Sequence, residues 1–196
     1  MNYKSPRLIN ETARGYEVFT LEDSFFKQRK IFLSSQIDAD SSNELIKQLA
    51  YLNGKNPKEE ITIYINSPGG EVASGLAVYD CICLLDAPVR TVCTGTAASM
   101  GSILFLAGDK REMLPHTKIM VHDPAFGSRD IGGMKPLEIQ KEVDDLMNVR
   151  EVLCDIIAER TGRTREEVYE KTKVDSYFRA EEAIAFGLAT GIATSL

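Results

Sequence analysis

The spacing of apolar residues changes several times along the chain, and each change marks an element. The first twenty or so residues, MNYKSPRLINETARGYEVFT, mix polar and apolar types without a clear period. They read as an arm or loop, extending to about residue 29. KIFLSSQ, from Lys30 to Gln36, is short and β-prone. DADSSNELIKQLAYLNG then offers Ser and Asp caps, sets Leu45, Leu49 and Leu52 on one face, and stops at Gly54. That pattern predicts a helix. EEITIYINSPGG reads as a strand rich in branched residues, broken at Pro68-Gly69-Gly70. VASGLAVYDCICLLDAP predicts a buried helix, VRTVCTG a strand and SMGSILFLAG another helix. KREMLPHTKIMVH predicts two short strands around Pro115.

Strands alternating with helices imply an α/β unit with a parallel sheet. The second half changes character. PAFGSRDIGGMKP is a glycine-rich loop, and one helical pattern runs from Lys135 to about Arg160, with Leu137, Val143, Leu146, Val149, Leu153 and Ile157 among its apolar positions. About 25 residues at 1.5 Å each reach about 37 Å, as wide as a small domain. Such a helix cannot bury both ends within its own domain, so it is expected to project and pack on a neighbour. Thr164-Arg165-Glu166-Glu167 is a capping box opening a short helix, and AEEAIAFG is a last helix ending at Gly187. The expected organisation is an arm over 1–29 and a single domain over 30–196, with a helical extension at about 123–160.

Composition narrows the function. With 43% apolar and 27% charged residues, the chain reads as globular. Its 23 basic and 29 acidic residues give a net charge of −6, with no basic cluster of the kind that binds nucleic acid or an anionic membrane. The N-terminus lacks the apolar core of a secretory signal, and no apolar run is long enough to span a bilayer. A cytoplasmic location is expected. Cys81, Cys83, Cys93 and Cys154 match neither a zinc site nor a CxxC pair, and read as small buried apolar residues in a reducing compartment.

Three predicted strands end where α/β sheets place their chemistry. INSPGG puts glycines at a strand-to-helix turn, where free backbone N–H groups suit an oxyanion or a phosphate; a plain tight turn explains it as well. GTAASMG places Ser99 between strand and helix with the Met100 N–H beside it. That resembles a nucleophile elbow, although a serine N-cap would look the same. IMVHDPAFG ends a strand at His122, one of two histidines, in the position a general base needs. His116, in Pro115-His116-Thr117, reads as a solvated turn residue. The two histidines have no partner motif for a metal.

INSPGGEVASGLAVYD, GTAASMGSILFLAG, IMVHDP and VDSYFRAEEAIAFGL, in this order from about Ile31 onward, resemble the proteolytic subunit of the Clp protease. The resemblance implies a crotonase-like α/β fold with a protruding long handle helix. It implies a serine endopeptidase with Ser99 as nucleophile, His122 as base and Asp175 as the third member of the triad. The oxyanion donors then fall on the N–H groups of Gly70 and Met100. The implied assembly is two stacked heptameric rings, or a mixed ring with a paralogous subunit, fed with unfolded protein by an AAA+ unfoldase. No GxxxxGK[ST] is present, so ATP use belongs to that partner and no cofactor is expected in this chain. A non-catalytic subunit of a mixed ring and an acyl-CoA enzyme of the same fold are the competing readings.

Departures from the family pattern are confined to particular positions. Asp123 stands where Gln usually follows the catalytic histidine, and Ser176 where Arg follows the triad acid. Tyr64 and Leu114 match positions that accept the unfoldase's docking loops, while Glu112 replaces an apolar residue there. The triad is intact; ring pairing and docking are the properties these changes touch.

Overall fold

A computed structural model describes residues 6–13, 15–127 and 132–196. The tip of the glycine-rich loop, 128–131, lies outside the described residues, as do 1–5 and 14.

The opening segment has regular structure that its sequence pattern does not show. It forms an antiparallel hairpin of β1 (Arg7–Thr12) and β2 (Gly15–Thr20), followed by helix α1 (Leu21–Lys27). The alternation of a strand shows in sequence only when one face is buried. Here Ile9, Tyr16 and Val18 are all exposed, so no polar face contrasts with an apolar one. Thr20 caps α1, its hydroxyl accepting from the Asp23 amide while the Asp23 carboxylate accepts from the Thr20 amide.

From Lys30 the predicted alternation holds. β3 (Lys30–Leu33) leads to α2 (Ala39–Lys55), whose Leu45, Leu49 and Leu52 are buried as the spacing requires. The helix runs through Gly54 rather than stopping there, and its end is held by a residue that sequence pattern does not reveal. Arg29, at φ 60°, donates to the carbonyls of Leu52, Asn56, Glu59 and Glu60, satisfying the helix terminus with a buried guanidinium. β4 (Ile61–Ser67), α3 (Val72–Cys83), β5 (Val89–Ala98) and α4 (Met100–Leu106) follow, then β6 (Lys110–Met113) and β7 (Lys118–Val121) on either side of Pro115.

The long helix α5 spans Pro136–Thr161, 26 residues and about 39 Å. Among its residues only Leu153, Cys154 and Ile157 are fully buried, all near its C-terminal end, and Leu137 is 85% exposed. α6 (Arg165–Thr172) opens on the predicted Thr164 capping box, and α7 (Ala180–Phe186) ends at Gly187 in the left-handed region. Besides β1 and β2, two more strands escaped the sequence pattern, β8 (Ser176–Arg179) and β9 (Gly191–Ile192). Four and two residues are too few to establish a period.

The main sheet runs β3-β4-β5-β6-β9, every pair parallel. β5 is its long central strand, pairing with β6 through Arg90–Cys93 and with β7 through Thr96–Ala98. Among the described residues, the one antiparallel pair of this sheet joins β7 to β8. Strand β5 and helix α4 are buried almost throughout and form the centre of the core with Ile61, Ile63, Ile65, Val78 and Ile119. Cys93 and Cys154 are buried as expected, but Cys81 is only half-buried and Cys83 faces solvent.

Phe32, Tyr64, Val92 and Glu112 lie in register across β3, β4, β5 and β6 and therefore share one sheet face. Tyr64 is buried and stacks on half-exposed Phe32; Leu114, just past β6, is half-buried. Glu112 is buried as a charge. It lies 2.6 Å from an Arg90 nitrogen and 2.9 Å from Lys110 Nζ, and Arg90 also donates to the Ser195 carbonyl. Desolvation pushes this carboxyl up, but hydrogen bonds and charge from Lys110 and Arg90 outweigh it and hold the group below its ordinary range.

Removing Glu112 strands Arg90, so Glu112→Ala should destabilise the chain by about 3 kcal/mol, the low end for breaking a buried pair because the Ser195 contact remains. Urea unfolding measures this. A depressed carboxyl contributes stability that is full above its unfolded value near 4.5 and is lost as pH falls through the folded value. Glu112→Gln should therefore flatten the acid limb of stability against pH below about 4.5, with little change in its slope above pH 6.

Candidate active site

The site is built where β5 hands over to α4. Ser99 occupies the junction with φ 53° and ψ −126°, one of two non-glycine residues with positive φ among those described. Such a backbone costs about 1–3 kcal/mol and persists only where its surroundings fix it. Three bonds do so here: the Ser99 amide donates to the Met120 carbonyl on β7, and the Ser102 amide and hydroxyl both donate to the Ser99 carbonyl. Ser99 stands at the N-cap of α4, yet its side chain makes no capping bond. The hydroxyl is spent elsewhere, and the N-cap alternative fails.

That hydroxyl faces His122. Nε2 lies 2.9 Å from Ser99 Oγ, and Nδ1 lies 3.2 Å from Asp175 Oδ1. Strand register explains the alignment. β5 and β7 pair Ala98 with Met120, so Ser99 and His122 leave neighbouring strand ends. β7 and β8 pair Val121 with Ser176 in antiparallel sense, which sets His122 opposite Asp175. The Asp123 amide extends this junction with a 2.6 Å bond to the Thr172 carbonyl. Ser99 and His122 are partly buried, whereas the Asp175 side chain is 60% exposed. On the single chain this carboxylate therefore meets the ring in water-screened surroundings.

The turn Asn66-Ser67-Pro68-Gly69-Gly70 packs against Ser99. The strand register shifts between Ile65 and Ser67, leaving the Asn66 side chain to accept from the Thr96 amide. Ser67 Oγ donates to the Ser35 carbonyl and accepts from the Gly69 amide. Gly69, at φ 95°, is required by space as well as by conformation: a Cβ there would lie 2.6 Å from the Ala98 carbonyl oxygen and 2.7 Å from Ser99 Cβ. Ile37 bonds across to the Gly69 carbonyl and from the Glu71 amide, pairs that leave the Gly70 N–H between them unused. Met100 opens α4, so its N–H is one of the orphan donors of a helix start.

Asp123, an acid beside the histidine, is turned away from it. Its carboxylate accepts from Arg150 Nε of α5 at 2.7 Å, and the Arg150 guanidinium lies 4.1 Å from the centre of the Tyr169 ring on α6. Of the residues that sequence reasoning named, Ser99, His122 and Asp175 come together; Met100 follows Ser99 in the chain, and Gly70 lies against Ile37, next to the Gly69 that packs on Ser99. Tyr64 and Leu114 lie apart, on and beyond the row that includes Glu112. Arg150, Ser67 and Thr172, which hold or line the site, were missed; nothing in the spacing of Arg150 or Thr172 along their helices marks them. His116 is exposed in its turn, as expected. Among the described residues, no three His, Cys, Asp or Glu side chains gather as a metal site, and no helix is long and apolar enough to cross a membrane.

A parallel α/β sheet with a serine, a histidine and a carboxylate in hydrogen-bond sequence at its strand ends has the architecture and geometry of a serine hydrolase. The family model described as Clp protease matches residues 13–195, nearly the whole chain. The chain belongs to the Clp protease family, as a subunit of its proteolytic type.

Gly69→Ala should push Ser99 out of line. The expected result is a loss of more than tenfold in fluorophosphonate labelling of Ser99, with an unchanged far-ultraviolet circular dichroism spectrum. Labelling at the wild-type rate would mean that the turn does not support the nucleophile.

Proposed function

We propose that this chain is a serine endopeptidase in which Ser99, His122 and Asp175 form the triad. One observation carries the reading: the Ser99 hydroxyl makes no cap bond although it sits at a helix start, and it is 2.9 Å from His122 Nε2. With the ring proton on Nδ1, toward Asp175, Nε2 accepts the serine proton as Oγ attacks a peptide carbonyl. The imidazolium then protonates the leaving amine, and a water repeats the sequence on the acyl-enzyme. Gly70 and Met100 supply the N–H groups for the oxyanion, preset by the turn and the helix start so that little reorganisation is needed.

The wider reading follows the family. The fold is the crotonase-like one with α5 as a protruding handle, and the domain spans 30–196 after an N-terminal segment that feeds the axial pore. The chain assembles as two stacked heptameric rings, alone or with a paralogous subunit, in the cytoplasm. Unfolded proteins reach the chamber through an AAA+ unfoldase that uses the ATP and docks at Tyr64 and Leu114. Two observations support dependence on assembly. The first four turns of α5 contribute no fully buried residue, and Asp175 stands open to water beside Ser176.

Asp175→Asn should lower turnover by about 10⁴-fold, the loss expected when the carboxylate that orients a triad histidine is replaced by an amide. Asp123→Asn should stay within about fivefold, since Asn still accepts from Arg150. Peptide hydrolysis by each variant, with labelling of Ser99 as the count of sites, checks both; the reverse order would move the acid role to Asp123. Peptidase activity of the purified chain should rise as it assembles with a partner subunit or unfoldase, followed by sedimentation and turnover on the same samples. Full activity as a single chain would remove the assembly requirement.

A further inference from the structure

Asp123 ties the strand end that carries His122 to two helices. Its amide donates to the Thr172 carbonyl of α6, and its carboxylate accepts from Arg150 Nε of α5 at 2.7 Å. A small cavity of about 30 Å³ lies beside Ser99 and His122. Asp123, Arg150, Leu153, Cys154, Ile157 and Thr172 help to line it, and among the described residues the Thr172 hydroxyl has no partner. The Arg150 and Asp123 side chains are 22% and 31% exposed, so water screens their pair only in part. Arg150 is itself held in place. Its guanidinium lies 4.1 Å from the centre of the Tyr169 ring, and the Tyr169 hydroxyl accepts from Arg165, which is engaged by Glu151 and Asp155. Among the described residues, Asp123 is the one ion-pair partner of Arg150.

The ionisable groups around His122, among the described residues, are Asp175 ahead of β8, Asp123 next in the chain, and Arg150 and Cys154 from α5. Ser99 comes from the junction of β5 and α4, and α6 adds the uncharged Thr172 and, under Arg150, Tyr169. Burial pushes the Cys154 thiol up, so it stays uncharged. Two of these groups are carboxylates, and a triad uses one. A carboxylate near an imidazole favours the imidazolium, which cannot accept the serine proton. Asp175 offsets that effect with a hydrogen bond that orients the ring. An unpaired carboxylate on the next residue would add the field without the orientation.

We propose that Arg150 is a positioning residue for His122: by pairing its charge with the Asp123 carboxylate, it leaves Asp175 as the single carboxylate that acts on the ring. The proposal rests on the peptidase reading. Removing the arginine charge leaves Asp123 uncompensated beside the base, so the ring holds its proton to higher pH and activity is lost on the acid side alone. Removing the Asp123 charge as well takes away the cause.

The test is kcat/KM of the assembled full-length protein against pH. In Arg150→Met the acid limb should move up by about half a pH unit, about threefold in rate at a fixed pH on that limb, while the plateau stays near wild type. Arg150→Lys keeps the charge and should leave the limb in place. Asp123→Asn added to Arg150→Met should return it to the wild-type position. Should Arg150→Met lose its far-ultraviolet circular dichroism spectrum, Arg150→Gln, uncharged but still able to donate to Asp123, takes its place with the same expected shift. A merely structural arginine would lower the whole profile, and Asp123→Asn would not restore it; that result overturns the proposal, as does a limb that stays put. Modification of His122 by diethyl pyrocarbonate against pH, read by peptide mass spectrometry, follows the same ring without turnover. Absence of cleavage of any peptide by the wild-type protein defeats the peptidase reading, and the modification profiles then decide Arg150 by themselves. An unmoved modification profile in the uncharged variant overturns the proposal whatever the turnover.

Discussion

The registration of three strands governs the site. β5, β7 and β8 meet in one parallel and one antiparallel ladder, and their pairing places Ser99, His122 and Asp175 in a line without any long side chain having to reach. Side chains alternate faces along a strand, so a slip of one residue in the β7–β8 ladder would turn Asp175 or His122 to the opposite side. Much of the surrounding packing holds that register. Ser99 is tied to Met120, Asp123 to Thr172, and the glycine turn is wedged against Ala98 and Ser99 too closely for a side chain.

α5 serves this junction from the opposite side. Its buried C-terminal turns supply Leu153 and Ile157 to the cavity by Ser99, and Arg150 draws the Asp123 carboxylate away from the histidine. A single helix therefore walls the cavity and pairs the carboxylate that this sequence sets beside His122. The N-terminal part of the same helix makes no such contribution and lies open. Ion-pair chemistry on the outer sheet face follows a similar rule. Glu112, a charge at an otherwise apolar place, is retained because Arg90 and Lys110 flank it.

Elements with a strong period were legible in sequence, and so were the junctions at their ends. Leu45, Leu49 and Leu52 predicted the buried face of α2; the small residues around Ser99 and the apolar run ending at His122 predicted a junction that the structure contains. Features lacking a period were not legible. The hairpin β1–β2 exposes its apolar residues, so its alternation carries no contrast, and β8 is too short to show one. The position of Asp175 could be inferred only through resemblance, because its alignment depends on an antiparallel ladder the sequence pattern did not show. Arg29 and Thr172 act through contacts distant in sequence: one closes a helix with its guanidinium, the other leaves a hydroxyl unspent in a cavity.

The order of these residues along the chain also matters during synthesis. His122 follows Ser99 by 23 residues, and Asp175 follows His122 by 53. A chain growing from its N-terminus completes β5, α4 and β7 while the strand carrying the carboxylate has yet to be made. The serine and histidine can meet early, but the ring's orienting partner arrives only with β8, after α5 and α6. Translation itself thus imposes a delay, and the nascent polypeptide holds Ser99 and His122 without Asp175 until nearly all of its fold exists.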